Sequence, residues 1–292
     1  MKILVVGGSG MLGHKLVQVL GSQFEVWATI RNKFEDFREF QIFDKNKLLE
    51  NINGENDPEI EKVINDVNPQ VIINAVGIIK QIPTAQDVVE TLTINSILPH
   101  KLAAAAKKNN SRFITISTDC VFRGDKGFYR EDDISDAIDL YGKSKNLGEV
   151  TTENCLTLRT SIIGRELLSR HSLVEWFLNN RGEKVKGFVN AIYSGFPTII
   201  FAGIIADVII NHPKLQGLYH VSSKPINKYD LLRLINEKYD AGIEIEADEK
   251  FKIDRSLNSS KFRNETGFNP PEWDEMIEMM ASDPTPYDDW KK

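Results

Sequence analysis

The chain opens with Met1-Lys-Ile-Leu-Val-Val-Gly7-Gly-Ser-Gly10-Met-Leu-Gly13, in which an apolar segment of strand length runs into regularly spaced glycines. Apolar residues then recur at helical spacing as far as Leu20. Glycines let the backbone turn sharply and approach a pyrophosphate, which the N–H groups of the following helix can bind. A tight turn between a buried strand and a helix is the alternative, but the strand–glycine–helix order favours a dinucleotide site. The expected cofactor contacts are Gly7, Gly10, Met11, Leu12 and Gly13.

Apolar segments of strand length alternate with segments of helical periodicity over roughly the first 160 residues. This order predicts an α/β fold, a Rossmann-type doubly wound parallel sheet with helices on both faces. We expect residues 1–160 to form the dinucleotide-binding core. Residues 161–292 should form mainly a smaller C-terminal substrate-binding lobe, interleaved with the core. The acidic end from Ser282 to Lys292 is expected to be a surface tail.

The composition argues against several classes of partner. The 292 residues carry a formal net charge of −6, which offers no general attraction for nucleic acid or an anionic membrane. Two cysteines are too few for a disulfide framework, and no apolar run approaches the ~18 residues of a membrane span. Met1 leads directly into a core strand without a signal sequence. We therefore expect a cytoplasmic protein.

A candidate catalytic pair lies in Tyr141-Gly-Lys-Ser-Lys145. A tyrosine and a lysine four residues apart on a helix share one face, and the ammonium favours the phenolate and lowers the tyrosine pKa. Alone, this spacing is common on surface helices. Its position downstream of the glycine turn and of Ser117-Thr118 predicts an enzyme that moves a hydride and a proton at a carbonyl.

Together these segments resemble the extended short-chain dehydrogenase/reductases, for which the Gly-x-x-Gly-x-x-Gly spacing is typical. Within them the chain is similar to the dTDP-4-dehydrorhamnose reductase-like group over nearly its whole length. The matching segments also include residues 72–77, 94–95, 117–124, 141–149, 158–161, 217–221 and 257–262.

The resemblance assigns three catalytic roles. Tyr141 would protonate the alkoxide as hydride reaches the carbonyl carbon, and Lys145 would lower the tyrosine pKa and hydrogen-bond the nicotinamide ribose. Thr118 would hydrogen-bond the carbonyl oxygen and polarise it. Ser117 is the rival for that role. The two point to opposite faces of a strand, and the family motif favours Thr118.

Further cofactor contacts follow from the resemblance and from position. Arg31 follows the second strand, where an arginine can pair with the 2′-phosphate of NADP, so NADPH is favoured over NADH. A solvated arginine in a charged loop is the alternative. Asp44 would contact adenine, Asn74-Ala75 would pass beneath the cofactor, and Asn95 would lie near the nicotinamide. Each could equally cap a turn or a helix.

The substrate side departs from the family pattern. Cys120 replaces a tyrosine, Ile162 replaces a tryptophan, and Ile78-Ile79-Lys80-Gln81 replaces a more polar loop. The usual Arg-Pro near the C-terminal end is missing, although Arg255 stands nearby. These departures leave the sugar open. The expected substrate contacts are Lys80, Thr118, Cys120, Tyr141 and Arg255.

The resemblance implies NADPH-dependent reduction of the 4-keto group of a nucleotide-activated 6-deoxyhexose, for surface polysaccharide synthesis and without a metal. A UDP-N-acetyl sugar is one option for this substrate, and a homodimer is one option for the assembly. A nucleotide-sugar epimerase or dehydratase is the alternative, but Asp119-Cys120 lacks the glutamate usual in dehydratases. The third hypothesis is an NADP-sensing regulatory protein. Such relatives usually lose one member of the catalytic pair, whereas Tyr141 and Lys145 are both present.

Overall fold

The computed structural model describes residues 1–53, 57–80 and 83–291, so that Gln81 lies outside the described residues. The strands are β1 (Lys2–Val6), β2 (Glu25–Thr29), β3 (Leu48–Leu49), β4 (Val71–Asn74), β5 (Arg112–Thr118), β6 (Cys155–Thr160), β7 (Ile162–Ile163), β8 (Lys184–Tyr193), β9 (Phe196–Pro197), β10 (Gly217–His220), β11 (Ile226–Asn227) and β12 (Glu244–Asp254). The helices are α1 (Met11–Gly21), α2 (Asp57–Val67), α3 (Val88–Leu92), α4 (Leu98–Lys108), α5 (Leu140–Leu147), α6 (Leu173–Leu178), α7 (Thr198–Asn211), α8 (Lys228–Lys238), α9 (Ser260–Thr266), α10 (Trp273–Ala281) and α11 (Tyr287–Trp290). A π-helical turn, Thr93–Ile97, joins α3 to α4.

The main sheet has seven parallel strands in the order β10-β6-β5-β4-β1-β2-β3. Strand β1 is apolar throughout its inner part because helices cover both faces, and Ile3, Leu4 and Val5 are fully buried. The chain reverses its direction of winding at β1, which lies between β2 and β4. This doubly wound arrangement confirms the predicted α/β fold and opens a ligand crevice at the carboxyl ends of these strands.

Two apolar cores flank the sheet. On one side, Leu16 and Leu20 of α1 pack with Phe201 and Ile205 of α7. On the other side, α2 and α4 cover β1, β4 and β5, with Leu102 fully buried among them. No helix of the described residues has the length and apolarity needed to cross a membrane.

The part of the chain after β6 builds a second, three-stranded sheet in the order β11-β8-β12. Strand β12 runs parallel to β8 and β11 runs antiparallel to it. The same part also contributes β10 to the edge of the main sheet. Segments of the two sheets therefore alternate along the chain, and the predicted division at residue 160 stays a prediction.

The C-terminal segment is not the surface tail expected from its composition. Tyr287 is 3% exposed, and the ring of Trp290 lies 4.8 Å from that of Phe40. Lys15 Nζ and Asp283 Oδ2 form an ion pair of 2.5 Å whose side chains are 4% and 8% exposed. The expectation was wrong because an acidic residue can be buried when it pairs with a buried cation, as Asp283 does with Lys15.

His14 shows how this segment supports the glycine turn. One ring nitrogen, Nδ1, lies 2.8 Å from the Gly10 carbonyl, and Nε2 lies 2.7 Å from the Tyr287 hydroxyl. Burial lowers the pKa of His14 to about 3, so the ring is neutral at pH 7. Because a carbonyl can only accept, Nδ1 donates to Gly10 and Nε2 accepts from Tyr287. The C-terminal segment thus reaches the N-terminus of α1 through one imidazole.

We expect Lys15→Met and Asp283→Asn each to lower the free energy of unfolding by about 3–5 kcal/mol, because each leaves a buried charge without its partner. The double variant should lose less than the sum of the two single losses. Urea denaturation at pH 7 measures these values. The exposed pair Lys224–Glu272 is the control, and Lys224→Met should cost less than ~1 kcal/mol. If Lys15→Met lowered the free energy of unfolding as little as Lys224→Met does, the Lys15–Asp283 pair would not anchor the C-terminal segment.

Candidate active site

The glycine turn after β1 is built from backbone contacts that leave no room for side chains. Gly7 has φ +89°, and a Cβ atom on Gly13 would lie 2.0 Å from the Gly7 carbonyl oxygen. Thr29, at the end of β2, fixes the turn by accepting from Gly7 N at 3.1 Å and from Gly8 N at 2.8 Å. The first-turn amides of α1, from Met11 to Gly13, have no acceptor within the helix and face the crevice edge. These features fit a pyrophosphate.

The other predicted cofactor residues differ in their surroundings. Arg31 is exposed and lies two residues beyond the end of β2. The last residue of that strand, Thr29, is the one that holds the glycine turn. Asp44 is exposed and caps a short turn by accepting from Asn46 N at 2.9 Å. The buried Asn74 accepts from Val76 N at 3.1 Å and donates to Thr115, which shapes the loop containing Ala75. Their contacts with a cofactor stay predictions.

Asn95 joins three parts of the site. Its side chain accepts from Ile78 N at 2.8 Å and donates to Ile78 O at 3.0 Å, which fixes the loop after β4. The same amide group donates to Ser144 Oγ of α5 at 3.2 Å. The side chain therefore holds the loop after β4 and helix α5 at a fixed distance. A direct contact with nicotinamide stays a prediction.

The turn after β5 and the start of α5 bring Thr118 and Tyr141 together. Asp139 caps α5 by accepting from Gly142 N at 2.7 Å. A Cβ atom on Gly142 would lie 2.2 Å from the Cys120 carbonyl oxygen, so only glycine allows this approach. The Thr118 hydroxyl is near enough to Tyr141 to lower the pKa of the phenol. Two of the three predicted catalytic groups are thus neighbours.

Burial has the largest effect on the pKa of Tyr141. Burial raises its pKa above the ordinary value, and the Cys120 thiol raises it further, against the effect of Thr118. It stays a prediction that Lys145 lowers this pKa, since its ammonium donates to the Ile116 carbonyl. At pH 7 the phenol is therefore protonated and can serve as an acid.

Lys145 is 9% exposed, and its Nζ donates to the Ile116 carbonyl of β5 at 2.7 Å. Burial lowers its pKa to about 8, and the Glu149 carboxylate opposes that shift. A Cβ atom on Gly77 would lie 3.8 Å from this ammonium. The charge therefore lies beside the loop that follows β4, between Tyr141 and the glycine turn.

The structure separates the roles of Ser117 and Thr118. Ser117 Oγ donates to Glu149 at 2.5 Å, and Glu149 forms a buried ion pair with Arg159 at 2.7 Å. Thr118 lies on the opposite side, where its hydroxyl donates to Asp119 at 3.0 Å. Ser117 is thus engaged in the support behind β5, which favours Thr118 as the group that meets a carbonyl.

The remaining predicted substrate residues surround the same turn. Lys80 Nζ lies 2.6 Å from Asp139 and 5.4 Å from the centre of the Tyr141 ring. Arg255 reaches the turn from the second sheet, donating through Nε to the Phe122 carbonyl at 2.8 Å. Another of its nitrogens lies 3.7 Å from Cys120 Sγ. Burial raises the pKa of Cys120 to about 11, so its thiol is protonated at pH 7.

Sequence reasoning missed Asp119 and two polar side chains near it, Tyr193 and Lys228. Asp119 is 6% exposed, and burial raises its pKa, against the influence of Arg255 and then of Lys228. Tyr193 at the end of β8 is 4% exposed, and Lys228 begins α8. Asp119 belongs to the Ser-Thr-Asp motif and could have been found there. Tyr193 and Lys228 carry no local signal, because only the second sheet brings them to the site.

Curated relatives match most of the chain. It is 27% identical to a dTDP-4-dehydrorhamnose reductase of Aggregatibacter actinomycetemcomitans, over 96% of this chain and 98% of the relative. It is 27% identical to the spore coat polysaccharide biosynthesis protein SpsK of Bacillus subtilis, over 77% of this chain and 74% of that protein. It is also 27% identical to methionine adenosyltransferase 2 subunit beta of Xenopus laevis, over 79% and 70%.

Solved structures share the fold. A Bacillus anthracis dTDP-4-dehydrorhamnose reductase in complex with NADP superposes with a TM-score of 0.79 at 20% identity, covering 96% of this chain and 98% of that one. A hypothetical dTDP-4-dehydrorhamnose reductase of Sulfolobus tokodaii gives 0.77 at 27% identity, covering 94% and 98%. The family model described as the RmlD substrate binding domain matches residues 1–285. The chain therefore belongs to the RmlD substrate binding domain family.

Proposed function

We propose that this protein reduces the 4-keto group of a nucleotide-activated 6-deoxyhexose with NADPH, for surface polysaccharide synthesis. The observation that carries the proposal is the grouping of Thr118, Tyr141 and Lys145 at the carboxyl end of β5. The loop after β4 links this group to the glycine turn. A Cβ atom on Gly7 would lie 2.6 Å from Val76, and one on Gly77 would lie 3.8 Å from Lys145 Nζ.

The chemistry needs a positioned ketone, a hydride and an acid. NADPH, when bound, supplies the hydride. Tyr141 is protonated and gives its proton to the oxygen of the reduced carbonyl. Thr118 turns its hydroxyl from Asp119 to donate a hydrogen bond to that oxygen and holds it beside the phenol. Lys145 keeps a positive charge near the donor, which stabilises the phenolate that remains.

The substrate class rests on the relatives and on charge. Reductases of this family are named for a dTDP-linked keto sugar, and SpsK is named for spore coat polysaccharide biosynthesis. Arg255 and Lys80 place two cations beside the turn after Thr118, where a sugar diphosphate could meet them. The nucleotide base and the sugar remain open in this proposal.

Two other functions are less well supported. A dehydratase would use an acidic pair after the threonine, whereas Asp119 is followed by Cys120, whose thiol is protonated. A regulatory role is suggested by the relatives named as a methionine adenosyltransferase subunit. The presence of both the half-buried Tyr141 and the buried Lys145 favours catalysis over regulation.

A homodimer and a cytoplasmic location stay part of the proposal. Exposed apolar side chains on two neighbouring helices support self-association, with Val88 and Val89 on α3 and Leu147 on α5 being 53%, 74% and 60% exposed. The molar mass in solution, measured by light scattering, would decide the assembly.

Tyr141→Phe should lower kcat by ~10²-fold or more, because it removes the proton donor and keeps the ring. NADPH affinity should change little. Lys145→Ala should lower both kcat and NADPH affinity, whereas Lys143→Ala on the exposed face of the same helix should change neither. Steady-state rates with 4-keto sugar nucleotides and fluorescence titration of NADPH measure these values. More than half of the wild-type kcat in Tyr141→Phe would remove Tyr141 from the mechanism.

The pH dependence follows from Lys145. Its pKa is lowered to about 8, so the ammonium loses its charge as the pH rises through that value, while Tyr141 stays protonated because its own pKa is raised. We expect kcat to fall above about pH 8. In Lys145→Arg, the fall should move to higher pH, because a guanidinium keeps its proton. Identical pH profiles for the two proteins would show that another group titrates.

Arg31→Ala should raise the KM for NADPH roughly tenfold and leave the KM for NADH nearly unchanged, because a charge-assisted contact to a 2′-phosphate contributes ~1.5–3 kcal/mol. Arg38→Ala is the matched control, since Arg38 is exposed in the same charged loop and pairs with Glu35 at 3.2 Å. Equal effects of Arg31→Ala on both cofactors would mean that Arg31 does not bind the phosphate.

A further inference from the structure

A polar cluster that the proposed reduction does not use lies beyond Thr118. Its members are Asp119 after β5, Tyr193 at the end of β8 and Lys228 at the start of α8. They come from the main sheet, the second sheet and a helix that packs on the second sheet. The cluster therefore lies where the substrate lobe meets the catalytic turn.

The Lys228 ammonium lies 4.7 Å from the centre of the Tyr193 ring. Over residues 1–53, 57–80 and 83–291, it has neither a hydrogen bond nor a carboxylate within 4.0 Å. Burial lowers its pKa, while Asp119 and Cys120 are near enough to raise it. Lys228 is thus a half-buried charged donor that lies against the face of the Tyr193 ring.

The Tyr193 hydroxyl is a second donor, with the Ser161 side chain near it. The side chain is 4% exposed, and its oxygen makes no hydrogen bond to the described part of the chain. Burial raises its pKa well above the ordinary value, Asp119 raises it further, and Ser161 opposes this. A Cβ atom on Gly195 would lie 2.3 Å from this oxygen, so glycine makes room for it. Buried hydroxyls normally have a partner, which points to a ligand group here.

The cluster faces the catalytic acid. The Tyr193 hydroxyl and the Ser161 carbonyl oxygen both lie against Gly195, and Ser161 follows the end of β6, whose last residue pairs with Thr118. Asp119 and Cys120 lie near enough to Tyr141 and to Lys228 to shift the pKa of each. These two residues form the turn that follows Thr118, and the Asp119 carboxylate also influences Tyr193. A sugar whose carbonyl meets Thr118 and Tyr141 would therefore turn its ring substituents towards Lys228 and Tyr193.

We propose that Lys228 and Tyr193 form a subsite for the acyl carbonyl oxygen of an N-acetylated hexose. This inference rests on the proposed function and specifies its substrate. A carbonyl oxygen has two lone pairs and no proton, so it can accept from the ammonium and from the phenol together. A sugar hydroxyl at the same place would also bring a proton, which would have to go to the Asp119 carboxylate or to the Tyr193 oxygen. The N-acetyl group uses both donors without adding that proton.

The test compares binding of UDP-N-acetylglucosamine with binding of UDP-glucose, by calorimetry in the presence of NADP⁺. The wild type should bind the N-acetylated sugar at least tenfold more tightly. Lys228→Met, which keeps the aliphatic stem, should remove most of that preference, and Tyr193→Phe should remove part of it. Lys224→Met, at an exposed lysine four residues earlier on the chain, is the control and should keep it. Thermal melting of each variant establishes that it is folded.

Equal affinity of the wild type for the two sugars, or no binding of either, would overturn the subsite. So would a preference that survives in both Lys228→Met and Tyr193→Phe. If Lys228→Met fails to fold, Tyr193→Phe decides, since it removes a single oxygen that has no protein partner. Binding needs no turnover. A clear N-acetyl preference without NADPH oxidation by the 4-keto 6-deoxy sugar would keep the subsite and reject the proposed reduction.

Discussion

The candidate site depends on backbone approaching backbone more closely than any side chain permits. A Cβ atom on Gly13, Gly142 or Gly148 would lie 2.0, 2.2 or 1.9 Å from a carbonyl oxygen of a neighbouring segment. The first contact closes the turn after β1, the second presses α5 onto the turn after β5, and the third sets α5 against the π-helical turn at Asn95. Real Cβ atoms do not come this near to an oxygen, so each position requires glycine. Three elements are thus fixed relative to one another before any catalytic side chain is considered.

Buried hydrogen bonds then orient the side chains within that frame. Asn95 uses both ends of its amide group on Ile78 and still donates to Ser144, so it couples the loop after β4 to α5. Ser117, Glu149 and Arg159 form a buried network behind β5. Such groups would be costly to leave unpaired, and here each has a partner. The predicted catalytic residues therefore stand on supports that are held by buried hydrogen bonds on the side away from the crevice.

The local signals of the sequence predicted the first half of the molecule well. Continuous apolar strands between amphipathic helices gave the parallel sheet, and the glycine spacing placed the turn after β1. The part of the chain that forms the second sheet was predicted less well. Strand β12 alternates charged and apolar residues, but this pattern is interrupted between Asp248 and Lys252. Its partner β8 lies about 60 residues away, and no local signal predicts that pairing. The C-terminal segment looked like a tail because Asp283 meets Lys15 only in three dimensions, across almost the whole chain.

The residues of the candidate site also divide into those with a local sequence signal and those that only long-range contacts bring together. Thr118, Tyr141 and Lys145 belong to contiguous motifs whose spacing is itself the signal, and the fold brings the first two together as the motif implies. Lys228 and Tyr193 have no such spacing, since their neighbourhood is created when β8 and α8 fold against the turn that holds Asp119. Chemistry common to a family can be encoded in short motifs near one strand end. In the proposed subsite, discrimination between sugars depends on what the second sheet brings to that point. It brings the buried Tyr193 hydroxyl, which has no hydrogen-bonding partner in the described residues, and the half-buried Lys228 ammonium against the same ring.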